Sequence, residues 1–143
     1  MTNEEHELLV RALCECLPHN VICETEDGRG TLVSVEPISD LAYVQFRLNA
    51  DAEEYEIWDG TVKPYLRPLS SMTEKEKKEY VQYVFNQPFL QKDGVPNLGS
   101  VPMCVDWLNA HHFDYRGLIE KGLALEASEG MYQIPPRSSD DNI

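Results

Sequence analysis

The hydrophobic pattern changes its period near residue 20, and this change constrains the fold more than any other feature of the sequence. Over residues 3–17, apolar side chains recur three or four positions apart, which is typical of an amphipathic helix. Over residues 20–66, short runs alternate between apolar and polar side chains, as half-buried strands do. A helix followed by strands with short connections predicts an α+β fold that contains a small antiparallel sheet.

The residues between the predicted strands are typical of tight turns. Asp27-Gly28-Arg29-Gly30 predicts a hairpin turn, because glycine accepts the positive φ angles that such turns require. Residues 63–71, which contain two prolines, predict a linker after the sheet. Short strands in close succession also fit a small SH3-like barrel, so both arrangements stay open at this point. The predicted strands are residues 21–25, 31–36, 41–48 and 55–58.

The C-terminal half of the chain is predicted to be mainly helical. Thr73 and Glu76 have the three-residue spacing of a capping box, which marks the start of a helix. Asp114 is typical of an N-cap, and Gly122 is typical of the left-handed residue that follows a helix. Trp107 lies in the densest apolar run and is predicted to anchor a core that the two halves share. The predicted helices are residues 74–86, 101–112 and 115–121.

The change of character along the chain divides it into three segments. Residues 1–71 are predicted to form a helix plus an antiparallel β subdomain. Residues 72–134 are predicted to form a helical subdomain with a short β-hairpin, in which a strand at residues 123–127 pairs with residues 131–133. Residues 135–143 have nothing to pack against and are predicted to be a disordered tail.

The chain is strongly acidic, with 25 Asp and Glu residues against 12 Lys and Arg residues and a net charge of −13. Residues 1–71 carry 14 of the acidic and 5 of the basic residues. An acidic field repels phosphate groups, so direct binding of nucleic acid or of anionic membranes is disfavoured. The same charge keeps a protein soluble and suits a basic partner.

The sequence predicts neither a membrane segment nor a secretory signal. Its apolar runs are far shorter than the roughly 20 residues needed to cross a bilayer, and its first residues, MTNEEHELL, are acidic where a signal peptide is basic. The protein is therefore expected to be soluble and cytoplasmic. Its four cysteines are then expected to be reduced thiols.

One cluster of residues has the composition of a zinc site. The spacing is C-x-C-x2-H-x3-C, and the candidate ligands are Cys14, Cys16, His19 and Cys23. On a helix, side chains two positions apart point about 200° apart, so Cys14 and Cys16 cannot hold one ion unless the helix unwinds. We therefore expect buried structural cysteines here, and we predict no metal and no cofactor.

The candidate catalytic residues are His111, His112 and Asp114. A histidine beside a carboxylate can act as a general acid–base pair. Adjacent histidines on a helix point about 100° apart, however, and histidines near a helix C-terminus also stabilise the helix dipole. The sequence has no serine in a nucleophile elbow and no glycine-rich phosphate loop after a strand. The balance of these observations leans against an enzyme.

Two stretches of the chain resemble small proteins encoded by prophages and other mobile elements of gut bacteria. They read KPYLRPLSSMTEKEKKEY at residues 63–80 and DWLNAHHFDYRGLIEKGLALEASEGMY at residues 106–132. The resemblance implies a shared fold and a mobile-element setting. It implies no activity, cofactor or functional residue, because none is assigned to that family.

Three classes of function are consistent with the sequence. The first, which we favour, is a soluble accessory protein that acts by binding a protein of the host or of the mobile element. The second is a DNA-related accessory factor, or an acidic mimic of nucleic acid. The third is an enzyme with a site near His111, His112 and Asp114. An exposed apolar patch would favour the first class, clustered carboxylates the second, and a deep pocket with perturbed histidines the third.

Overall fold

The structure is a computed structural model, and it describes residues 1–85 and 101–132. The tail predicted to be disordered, at residues 135–143, lies outside the described residues. Within them, the combination of helices and strands confirms the α+β class. The elements are α1 (Asn3–Cys16), β1 (Ile22–Thr25), β2 (Gly28–Glu36), β3 (Leu41–Gln45), β4 (Glu53–Glu56), β5 (Lys63–Pro68), α2 (Glu74–Phe85), α3 (Val101–Ala110), β6 (Phe113–Asp114) and β7 (Leu125–Glu126).

The N-terminal helix α1 confirms the helix predicted at residues 3–17. Thr2 caps it: the Thr2 hydroxyl accepts a hydrogen bond from the Glu5 N–H at 3.0 Å, and the Glu5 carboxylate accepts one from the Thr2 N–H at 2.9 Å. This capping box satisfies backbone donors that have no partner inside the helix. On the opposite side, Leu9 and Leu13 are fully buried and belong to the main core.

The strands form one sheet in the order β4-β3-β2-β1-β5-β6, and β7 pairs with β5 as well. Neighbouring strands from β1 to β4 are antiparallel, which confirms the antiparallel part predicted at residues 20–66. Gly30 is required where β2 approaches β3, because a Cβ there would lie 2.5 Å from Val44 Cγ1. The register between β2 and β3 shifts between Leu32 and Ser34, which marks a β-bulge in β2.

The prediction of a linker at residues 63–71 is wrong, because this segment contains the strand β5. The strand β5 pairs antiparallel with β1 and parallel with β6 and β7, so the sheet is mixed. Its two prolines are tolerated because other residues provide the backbone hydrogen bonds. The Arg67 N–H donates to the His112 carbonyl at 2.7 Å, and the Leu66 carbonyl accepts from the Ala127 N–H at 2.8 Å.

The prediction of a helix at residues 115–121 is also wrong, because this segment is a series of turns. Gly117 has a φ angle of +75°, outside the right-handed region that a helix requires. Asp114 does not act as an N-cap. Its carboxylate accepts hydrogen bonds from the N–H groups of Leu118 and Ile119 at 2.8 and 3.0 Å. These donors lie four and five residues along, so the carboxylate closes a wide loop instead of starting a helix.

The short β-hairpin predicted for the second half does not form in the described residues. The strand β7 pairs in parallel with β5, with Tyr65 opposite Leu125. The two described residues of the range 131–133 are not part of a strand. Leu123 and Ala124, just before β7, are buried in the main core, and their burial brings β7 against the middle of the sheet.

Trp107 is buried, as predicted, with only 7% of its surface exposed. It lies outside the main core, which consists of residues from α1, the sheet and the turns before β7. Its ring stacks on the His111 ring with 3.8 Å between centroids, and it contacts the rings of Tyr80 and Phe113 at 5.1 and 6.1 Å. Trp107 therefore joins α2, α3 and β6 in an aromatic cluster of their own, which corrects its predicted role as anchor of the joint core.

Candidate binding groove

Two of the candidate zinc residues are buried in the main core. Burial raises the pKa of the Cys16 thiol to about 12 and also raises the pKa of Cys23. A protonated thiol is not the form that binds zinc. Cys14 is half-buried, and His19 contributes its backbone carbonyl to a hydrogen bond. Within residues 1–85 and 101–132, no group of three or more His, Cys, Asp or Glu side chains is placed to hold a metal ion.

His112 is buried and directed away from solvent. Its Nε2 donates to the His19 carbonyl at 2.8 Å, and its ring stacks on Tyr132 with 3.7 Å between centroids. Its Nδ1 has no hydrogen-bond partner. Burial, the largest influence, lowers the pKa of the imidazole, so His112 is neutral near pH 7. In this position it cannot reach a substrate, although its pKa is perturbed.

His111 is directed the other way, because the chain turns sharply where His112 adopts a φ angle of +64°. The Nδ1 of His111 lies 2.9 Å from the Trp107 carbonyl, which can only accept a hydrogen bond. Nδ1 therefore carries a proton, and in the neutral imidazole Nε2 is an acceptor. The carboxylate of Asp114 is used by backbone N–H groups. The three candidate catalytic residues therefore do not converge on one point.

His111 lines an open groove of about 820 Å³. We call it the β5–α2 groove, because it lies between the end of β5, the first turns of α2 and the segment 126–132. The groove brings together residues from parts of the chain that are far apart in sequence. Its lining includes Arg67, Lys75, Glu79, His111, Glu126 and Tyr132. Of these residues, the sequence alone indicated only His111 as a candidate functional residue.

An ion pair between Arg67 and Glu76 forms one wall of the β5–α2 groove. The two guanidinium nitrogens of Arg67 lie 2.8 and 2.7 Å from the two carboxylate oxygens of Glu76. Both side chains are more than four-fifths buried, and the guanidinium lies 4.1 Å above the Phe113 ring. The hydrogen bonds from Arg67 lower the pKa of the Glu76 carboxyl to about 2. Glu76 also completes the predicted capping box with Thr73, which ties the start of α2 to β5.

Charged side chains surround the rim of the groove. Glu79, Glu126 and Glu129 are exposed, and none has an ion-pair partner among the residues that the structure describes. Lys75 is the one rim cation without a partner in the same set. Because Arg67 and Glu76 neutralise each other, the rim carries more negative than positive charge.

Tyr132 forms another wall of the groove and is held by the sheet. Its hydroxyl donates to the Tyr65 carbonyl at 2.7 Å and accepts from the Ile22 N–H at 2.8 Å. It thereby bridges β5 and β1. Burial, the largest influence, raises the pKa of this phenol. The sequence indicated Tyr132 only as part of a hairpin, and no local signal marks its role as a bridge.

Among the residues that the structure describes, the groove presents charges without an ion-pair partner around an open concavity, and the three candidate catalytic residues do not converge in it. Comparisons of the chain with protein-family models, curated proteins and solved structures found no match. Among the described helices, none has both the length and the apolar character that crossing a membrane would take.

Proposed function

We propose that this protein is a cytoplasmic accessory protein that acts by binding another protein, and that the β5–α2 groove is its binding surface. One observation carries the proposal: the groove gathers free charges from α2, from β7 and from the turn after β7 around a single concavity. Free charges on a concave surface provide specificity for a partner of complementary charge. The resemblance to prophage proteins supports a partner encoded by the host or by the mobile element.

An enzyme has less support from the same geometry. Of the three candidate catalytic residues, His111 alone lines the groove. His112 is 8% exposed, and Asp114 binds backbone N–H groups. A general acid–base pair needs both groups within reach of one reacting atom.

An acidic mimic of nucleic acid also has less support. Glu24 and Glu54 lie on the same outer face of the sheet, but their strands are separated by two others in the strand order. With about 4.8 Å between neighbouring strands, the two strands are roughly 14 Å apart. The two side chains are also offset along the strands, because Glu54 is in register with Ser34 of β2 and Glu24 with Arg29. Glu24 is moreover engaged by the Tyr65 hydroxyl at 2.6 Å.

We further propose that strands β1 to β5 form a small SH3-like barrel. Two features support it: β2 pairs with β1 through residues 28–31 and with β3 through residues 31–36, and a 3₁₀ helix at Ile57–Asp59 precedes β5. An experimental structure tests it, because a barrel requires β2 to bend at its bulge into two facing sheets. The barrel by itself carries no function.

Site-specific photo-crosslinking in a gut bacterial host tests the proposed function. Benzoylphenylalanine is placed at Glu129 on the groove rim and, as the matched control, at Glu54 on the outer face of the sheet. We expect position 129 to crosslink one discrete protein and position 54 to crosslink none. The crosslinked protein, once purified, should bind the full chain in solution. Identical adducts at both positions, or adducts at position 54 alone, would contradict the proposal.

A further inference from the structure

The strand β7 has an unpaired edge beside the groove. It pairs with β5 on one side, with Tyr65 opposite Leu125 and Leu66 opposite Glu126. No other strand of the described residues pairs with β7. Glu126, Ala127 and Ser128 line the groove, so the C-terminal end of β7 borders it. An unpaired strand edge offers backbone N–H and C=O groups to an extended segment of another chain.

The groove next to this edge is rich in hydrogen-bond acceptors. Glu79, Glu126 and Glu129 present free carboxylates from three different elements. In the neutral form of His111, Nε2 is a further acceptor, because the Trp107 carbonyl binds the N–H at Nδ1. Lysine and arginine side chains have donors and no acceptor, so they are the side chains that complement this surface.

The wall of the groove already shows how a guanidinium is accommodated here. Arg67 is bound at both nitrogens by Glu76 and lies over the Phe113 ring. This internal pair is complete, so it leaves the rim carboxylates available for a second cation. Among the residues that the structure describes, Lys75 is the one free cation on the rim, and one cation cannot neutralise three carboxylates.

We infer that the β5–α2 groove binds an extended basic segment of a partner protein, aligned along the free edge of β7, with Lys or Arg side chains on the rim carboxylates. The inference rests on the proposed function and names the chemistry of the partner. Backbone pairing to β7 supplies the alignment, and the carboxylates supply the preference for basic side chains. A segment that alternates basic with small residues fits best, because alternate side chains of a strand point to the same face.

Selection of short random peptides, displayed on phage, against the purified full-length protein tests this inference. We expect the selected peptides to be enriched in Lys and Arg and depleted in Asp and Glu. Replacing all three rim carboxylates should weaken binding of a selected peptide about tenfold, as three exposed ion pairs would. The rim variant is Glu79→Gln, Glu126→Gln and Glu129→Gln.

The matched control is a second triple variant, with substitutions at exposed positions of β4. It changes the net charge of the protein by the same amount as the rim variant. It should weaken binding less than about twofold, because long-range charge effects are screened by salt. The control variant is Glu53→Gln, Glu54→Gln and Glu56→Gln. Equal losses in both variants would attribute the binding to net charge and overturn the inference.

Backbone N-methylation of a selected peptide tests the alignment along β7. Pairing with a strand edge uses the N–H groups of alternate residues, so methylation at one set of alternate positions should abolish binding and methylation at the other should not. Equal effects of both sets, the absence of selected peptides, or selected peptides without basic residues would each overturn the inference. A partner that crosslinks at position 129 through a segment without Lys or Arg would overturn the inference alone and leave the proposed function standing.

Discussion

At the scale of single residues, two adjacent histidines have opposite environments. His111 stacks on Trp107 and lines the groove, whereas His112 is buried between Tyr132 and the His19 carbonyl. The positive φ angle of His112 separates them, because it reverses the chain direction at the end of α3. The burial of His112 makes stability depend on pH.

We expect the free energy of unfolding to fall as the pH falls below about 6.5. The unfolded chain binds a proton on His112 near its ordinary pKa of 6.5, whereas the folded chain binds it only at lower pH, because burial lowers the pKa. The contribution of neutral His112 to the free energy of unfolding is therefore fully present above the ordinary pKa and is lost as the pH falls below it. In the His112→Asn variant, the free energy of unfolding should depend less on pH. Asparagine is a suitable replacement because it tolerates the positive φ angle. Denaturant titrations at pH values above and below 6.5 measure this dependence. If the free energy of unfolding depends on pH equally in the variant and in the original protein, His112 is not its source.

The two tryptophans offer a matched pair of substitutions. Trp107 is 7% exposed and contacts three rings, whereas Trp58 is 44% exposed. Trp107→Ala should reduce the free energy of unfolding by about 3–5 kcal/mol, because it leaves a cavity between α2, α3 and β6. Trp58→Ala should cost about 1 kcal/mol or less. Urea denaturation of both variants measures the difference, and equal losses would argue against the aromatic cluster.

At the scale of elements, β5 determines how the two halves of the chain meet. It pairs with β1 of the first half and with β6 and β7 of the second half. The pairing of β1 with β5 covers only two residue pairs. Beyond them the Tyr132 hydroxyl takes the place of a backbone partner for both Ile22 and Tyr65. One phenol thus connects two strands where their own ladder ends.

Tyr132→Phe should therefore reduce the free energy of unfolding by about 1–3 kcal/mol. The variant keeps the aromatic stack on His112 but leaves a backbone N–H and a carbonyl without their partner. Tyr43→Phe is the control, since the Tyr43 hydroxyl lies on the outer face of the sheet and its removal leaves no buried backbone group without a partner. Denaturation midpoints compare the two, and a Tyr132→Phe variant as stable as the control would show that the bridge contributes nothing.

At the scale of the whole molecule, the net charge of −13 is distributed over several surfaces. The groove rim holds one group of carboxylates, and the edge strand β4 exposes another at Glu53, Glu54 and Glu56. A charged edge strand resists pairing with a second sheet. The carboxylates thus lie on separate surfaces.

We expect that the protein does not compete with duplex DNA for a DNA-binding protein. The acidic side chains of the sheet face are too widely separated, and Glu24 is engaged by Tyr65 and Arg29. Fluorescence anisotropy of a labelled duplex bound to a host nucleoid protein measures this at about 50 mM salt, where electrostatic competition is strong. Displacement of the duplex that disappears as salt is added would instead support the mimic.

The sequence by itself determined the elements whose signals are local. The helical period of the apolar side chains over residues 3–17 predicted α1. The capping box of Thr73 with Glu76 predicted the start of α2, and this box forms. Short runs of strand-forming residues between turns predicted strands that overlap β1 to β4. The fourth was predicted two residues late, because Ile57–Asp59 is a 3₁₀ helix. These signals were sufficient because each involves residues that are at most a few positions apart, or a short hairpin connection.

Only the tertiary structure decided β5, the turns at residues 115–121 and the β5–α2 groove. The two prolines of β5 predicted a linker instead of a strand. The pairing of β5 with β6 depends on the hydrogen bond from the Arg67 N–H to the His112 carbonyl. The turns form because Tyr115 and Arg116 both bind Glu15 of α1, and those bonds compete with a local helix. Each of these contacts joins residues far apart in the chain, so neither the period nor the spacing of nearby residues could reveal it.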